Sequence, residues 1–136
     1  MKAREILIAP RITTRKIETL RARIESRVNG LLPSCIRYDK DKVQTSPRDM
    51  MPECMAEIDE LCNQVNQLVK QKWKQIKRIE RLCENLTDPE QKVVILKYYT
   101  CGHAMREIAS EIGYSISNTY KIRRHAENEI EAQLGK

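Results

Sequence analysis

Ile116, Ser117, Asn118, Tyr120, Lys121, Arg123, Arg124 and His125 fall within one stretch, 116–125, that contains no acidic residue. Their chemistry suits a polyanion that also carries readable edges. The Asn118 carboxamide sets a donor beside an acceptor, the geometry that pairs bidentately with adenine. Lys121 can donate to guanine, and Ile116 offers methyl groups that can meet a thymine methyl. Arg123, Arg124 and His125 suit phosphate, a contact that positions a protein without specifying sequence. Ser117 serves equally as a helix cap and Tyr120 equally as a packing residue. The chain has two histidines and no paired-carboxylate or nucleophile motif, so no catalytic residues are assigned and an enzyme is the least expected class.

A helix must present these residues, and the stretch before it supplies the means. In "REIASEIGYSISNTYKI", residues 106–122, Ala109 stands four positions before Gly113 and a serine-rich turn follows. A short helix is expected over Met105–Ile112. Gly113 closes it, where a positive φ is often required. Ser115 or Ser117 caps the next helix, which keeps Ile122, Ala126 and Ile130 on one face. A helix-turn-helix needs apolar residues at positions four and eight, a small residue at five, glycine at nine, and apolar residues at fifteen and eighteen. Counted from Met105, these are Ile108, Ile112, Ala109, Gly113, Thr119 and Ile122. Thr119 alone departs, and its methyl can still pack. Upstream, "LTDPEQKVVILKYYTCG" opens with the capping-box pattern Thr87-x-x-Glu90 and closes at Gly102.

The rest of the chain reads as a helical scaffold. From Arg11 to Asn29, the residues Ile17, Leu20, Ile24 and Val28, then Leu31, follow three- and four-residue steps, with Gly30 as C-terminal cap and Pro33 beyond. Residues 33–52 are polar and contain Pro47 and Pro52, which predicts a loop. A long helix from about Glu53 to Asn85 carries Ile58, Leu61, Val65, Leu68, Ile76, Ile79 and Cys83, then Leu86 just beyond it, near the coiled-coil period. The expected fold is all-α: an antiparallel helical hairpin or coiled coil over 1–86, then a helix-turn-helix domain over 87–136. The apolar stripe of the long helix either packs on the first helix or joins a second copy as a homodimer.

Charge is distributed unevenly. Residues 1–48 carry 12 basic and 5 acidic side chains, net +7; residues 49–86 carry 6 and 7, net −1; residues 87–136 carry 7 of each. The basic excess favours a polyanionic partner, although the reading head itself is neutral. No apolar run approaches about 18 residues, so no membrane contact is expected. The run Ile6–Ala9 is too short for a signal peptide. Five cysteines without a C-x-x-C pair fit reduced thiols in the cytoplasm. Cys101 and His103 lack a second pair of ligands, so neither a metal nor another cofactor is assigned.

The segments "VILKYYTCG", "EIASEIGYS" and "HAENEI" resemble region 4 of bacterial sigma factors. There a helix ends in a similar aromatic motif before a glycine, and the recognition helix ends in a similar alanine pattern. Over most of residues 1–132, "YDKDKVQTSPRDMM" and the long Glu- and Lys-rich helix resemble small proteins of phages and prophages of low-GC Gram-positive bacteria, grouped with the ArpU/RinA late transcription regulators. The resemblance implies a sequence-specific regulator in the bacterial host cytoplasm, with double-stranded DNA and host RNA polymerase as partners. Sigma factors place Arg, Glu and Gln where this chain has Ile116, Ser117 and Lys121, which implies a preference unlike a typical −35 element. Two other classes stay open: a DNA-recognition subunit of a phage packaging complex, similar to a small terminase, and a coiled-coil protein adaptor. Oligomer mass separates the first, and failure to bind duplex at low salt singles out the second.

Overall fold

The computed structural model describes residues 2–36 and 47–136, with side chains over 2–30 and 51–136. Residues 43–46 of the "VQTSP" motif lie outside the described residues. The chain is all-α. Its elements are α1 (Lys2–Ile36), α2 (Pro47–Glu84), α3 (Pro89–Ile95), a π-helical turn (Leu96–Thr100), α4 (Met105–Ile112) and α5 (Ile116–Leu134). No strand occurs among the described residues, and none of their helices is long and apolar enough to cross a membrane.

Helix α1 starts nine residues before the expected Arg11 and runs past the expected cap. Ala3, Leu7, Pro10, Thr13, Ile17 and Leu20 are all buried, and their three- and four-residue steps form one continuous stripe. Pro10 deletes a helical hydrogen bond, yet its buried ring belongs to the stripe, so packing carries the helix through. Gly30 does not cap. Among the described glycines only Gly102 and Gly113 have positive φ, the conformation a left-handed cap requires.

Helix α2 also begins early, at Pro47 rather than near Glu53, which removes 47–52 from the expected loop. Pro47 occupies the first helical position, where a missing N–H is harmless. Pro52 sits inside the helix and interrupts one bond without ending it.

The chain divides into two compact units, one of Met1–Thr14 with Gln71–Lys136, the other of Arg15–Lys70. In the 15–70 unit, Ile17 and Leu20 of α1 pack with Leu61 and Val65 of α2, edged by Ile24, Leu68 and Val69. Arg27 pairs with Glu57, so later α1 residues meet earlier α2 residues and the two run antiparallel. Leu61 and Val65 are therefore covered within the chain, whereas Val28 is exposed despite its place in the expected stripe.

In the other unit, Ala3, Leu7, Ile79, Cys83 and Leu86 share a core with Ile95, Tyr99, Ala126 and Ile130. A division at residue 86 runs through this core. The Thr13 hydroxyl donates to Gln75 Oε1 at 2.8 Å, fixing α1 against α2 here. Asp88, not Thr87, caps α3, accepting from the Glu90 amide at 2.9 Å. The π turn follows because the Leu96 carbonyl accepts both the Cys101 amide (3.0 Å) and the Thr100 hydroxyl (2.5 Å).

Candidate nucleic-acid interface

Helices α4 and α5 are joined by three residues, Gly113, Tyr114 and Ser115. Gly113 adopts φ 79° and ψ 22°, and both its amide and that of Tyr114 donate to the Ala109 carbonyl, at 3.0 and 3.1 Å. That ends α4 and turns the chain. Ser115 then takes an extended backbone, and its hydroxyl oxygen accepts from the Asn118 amide at 3.1 Å, starting α5. Ser115, not Ser117, is the cap. The Tyr114 hydroxyl donates to Glu90 Oε1 at 2.7 Å, tying the turn to the first turn of α3 and raising its phenol above its ordinary pKa. Lys97 pairs with Glu111 alongside.

Beneath the turn, Val94, Met105 and Ile108 form a small buried core, completed by Tyr98, Ile112 and Ile122. Ala109 is buried as well. Thr119, the one departure from the expected apolar set, is fully buried. Its hydroxyl donates to the Ser115 carbonyl at 2.8 Å, so the polar atom is satisfied by its own helix while the methyl packs. The spacing noted in the sequence thus corresponds to one packed pair of helices.

Thr119, Ala126 and Ile130 mark the inward face of α5. Opposite them, at steps of four, three and four, lie Ser117, Lys121, Arg124 and Asn128, all exposed. Ile116 and Tyr120 are exposed on one flank, and Asn118 and His125 on the other. Seven of the eight residues singled out in the sequence therefore share an accessible surface. Asn128 extends that surface and was missed, though the four-three-four spacing would have reached it.

Arg123 is set apart. It is half-buried, with its guanidinium 4.7 Å from the Tyr98 ring centre and 5.0 Å from that of Tyr120. Its Nε lies 3.6 Å from Glu127 Oε1. The assignment of Arg123 to phosphate does not fit this placement, since the guanidinium is already stacked and paired inside the unit.

Glu127 was also not singled out. It is 2 % exposed, an unusual place for a carboxylate. The Tyr99 hydroxyl donates to Oε1, and Arg4 Nε approaches Oε2 at 3.6 Å. Burial, the hydrogen bond and the carboxylate charge together hold the Tyr99 phenol far above its ordinary pKa. Nearby, the Ala3 amide donates to Glu131 Oε2 at 2.6 Å. Arg11 donates to the Tyr98 carbonyl at 2.8 Å and stacks 4.3 Å from the Tyr98 ring centre. The start of α1 is thereby bonded both to α5 and to the π turn, which fixes the base of the exposed surface.

The electrostatics of α5 are polarised. Its first ten residues carry Lys121, Arg123 and Arg124, while Glu127, Glu129 and Glu131 occupy the remainder. Cys101 is exposed and His103 half-buried, and no group of three or more His, Cys, Asp or Glu among the described residues is arranged to hold a metal. No protein-family model matches the chain, and no curated protein or solved structure is significantly similar to it.

Proposed function

We propose that this chain is a sequence-specific DNA-binding transcription regulator of phage or prophage genes, acting in the bacterial cytoplasm with host RNA polymerase in a sigma-like manner. The observation that carries this function is the α4–turn–α5 pair. A left-handed glycine, a serine cap and a buried Thr119 rigidly hold one helix whose outward stripe is polar and basic. Such a helix fits the major groove with its N-terminal residues against base edges. Asn118 and Lys121 supply base-directed hydrogen bonds, Ile116 an apolar contact, and Arg124 and His125 phosphate contacts. Arg123 stacks on Tyr120 and orients it. The resemblance of its sequence motifs to sigma region 4 and to the phage regulators supplies the biological setting of this proposal.

Selection of bound duplexes from a random pool tests this function directly. The wild-type protein should enrich one motif, and Lys121→Ala should relax a single position of it by about 1–3 kcal/mol. An unenriched pool at low salt refutes sequence-specific binding. An unchanged motif in the variant removes Lys121 from base readout.

A further inference from the structure

We propose that the 15–70 unit pairs with the same unit of a second copy, forming a four-helix bundle through the face of the hairpin that carries Val28 and Met55. The pairing goes beyond the function assigned to α5 and does not depend on it.

Helical geometry divides this hairpin into two faces. On α2, Leu61 and Val65 turn towards α1. Glu57, Glu60 and Gln64 lie about a quarter turn to one side of them, and Met55, Cys62 and Val69 about a quarter turn to the other. On α1, Arg23 and Arg27 fall to one side of Ile17, Leu20 and Ile24, while Arg21 and Val28 fall to the other. The pair between Arg27 and Glu57 shows which sides coincide. One face is therefore a polar groove, lined by Arg23, Arg27, Glu57, Glu60 and Gln64. The opposite face carries Arg21, Val28, Met55, Cys62 and Val69, with Ile58 beside them.

That opposite face is open. Val28 is 39 % and Met55 49 % exposed, the two large exposed apolar side chains among the described residues of this unit. Cys62 is exposed too, and Ile58 and Val69 are half-buried. Two helices make a single layer, and apolar side chains on its open face are buried by a second layer. At ~1.5 Å per residue and ~10 Å between helices, the face is about 25 Å long and about 20 Å wide. Two such faces bury about 1,000 Å² together, enough for a specific interface.

Charge complementarity selects a second copy as the occupant. Residues 15–30 of α1 carry 5 basic and 2 acidic side chains, net +3, and residues 51–70 of α2 carry 1 and 4, net −3. The hairpin is thus complementary to itself, and its charges cancel, which leaves little for a polyanion to neutralise. A two-fold axis parallel to the helices lays α1 of each copy over α2 of the other, with every neighbour antiparallel. An axis across the helices would instead stack the acidic segment of α2 on its own copy. The Arg27–Glu57 pair also sets the register, placing Arg21 about one helical turn from the level of Asp59. Both are exposed, so Arg21 of each copy can reach Asp59 of the other.

Sedimentation equilibrium of the full chain tests the pairing, with circular dichroism checking that every variant stays helical. The wild type should be a dimer at micromolar concentration. Met55→Arg should weaken it about a hundredfold, since two apolar contacts are lost and a cation meets the basic helix. Gln64→Arg, on the groove face of the same helix, should leave the dimer intact. Arg21→Glu and Asp59→Lys change exposed positions, so both should fold, and each alone should weaken the dimer about tenfold. An equimolar mixture of these two variants should recover wild-type association, because both intersubunit pairs are then of opposite sign. A monomeric wild type overturns the proposal. So does a dimer that survives Met55→Arg, or one that Gln64→Arg splits. Failure of the mixture to recover association overturns the placing of α1 over the partner's α2, and the proposal with it. DNA affinity enters none of these readings, so they stand or fall apart from the function of α5.

Discussion

Substitution of Gly113 separates conformational cost from crowding. A Cβ built at this position meets no heavy atom within 4 Å, so a side chain has room. The backbone, at φ 79°, is nevertheless left-handed. An L-residue there costs about 1–2 kcal/mol, partly offset by the 0.4–1 kcal/mol gained when glycine's freedom is removed from the unfolded chain. Alanine should therefore destabilise by about 1 kcal/mol. Asparagine, larger but more tolerant of this conformation, should cost less than alanine. Valine, β-branched, should cost about 2 kcal/mol or more and weaken DNA binding while α1 and α2 stay helical. Gly30→Ala supplies the opposite sign: that glycine is within α1, without a positive φ, so alanine should stabilise by about 0.5–1 kcal/mol. Urea unfolding followed by circular dichroism measures the series. An order that tracks side-chain volume, with asparagine worse than alanine, would refute the reasoning.

Glu127→Ala should cost about 2–4 kcal/mol, because it strips the acceptor from a buried tyrosine hydroxyl and leaves a void, while Glu127→Gln should cost less; equal losses would mean the Tyr99 bond is immaterial. Val65→Asp should unfold the 15–70 unit, since an unpaired charge would enter the Ile17–Leu20–Leu61 cluster at a cost of several kcal/mol; a folded, dissociated monomer from a wild-type dimer would instead place Val65 between subunits. Burial, with the nearby Glu80 carboxylate adding to it, pushes the Cys83 thiol from 9.0 up to about 11. The unfolded chain then ionises this thiol first, so stability should fall as pH rises from about 9 to 11, and Cys83→Ala should shallow that fall in denaturant midpoints taken across the range.

The parts of the fold visible in the sequence were those governed by local rules. Met105–Ile112 was bounded to the residue because glycine, serine and apolar spacing act over one or two turns. The start of α1 was hidden because Pro10 breaks a local rule that only tertiary burial overrides, and the stripe through Ala3 and Leu7 has meaning only against Ile79 and Cys83. Pro47 was misread because a proline signals a helix start as readily as a loop, and Pro52 because, like Pro10, it lies inside a helix that continues past it. In the candidate site, periodicity located the exposed side of α5, since facing is a property of one helix. Arg123 and Glu127 were out of reach because their roles depend on Tyr98, Tyr99 and Arg4, which come from two other segments.

The bond from the Ala3 amide to Glu131 links positions 128 residues apart. Closing so large a loop makes this unit slow to complete, because its entropy is lost before the contact is gained. The core of Val94, Met105, Ile108 and Ile122 is local by comparison and can assemble early. On the ribosome, the stripe of Ala3, Leu7 and Pro10 would therefore wait uncovered until Ile79 and Cys83 emerge, and would be fully enclosed only once Ala126 and Ile130 of α5 follow. During that interval the same apolar surface is open to a holdase or to another nascent copy, which makes expression yield, more than final stability, the quantity that substitutions at Ala3 and Leu7 should control.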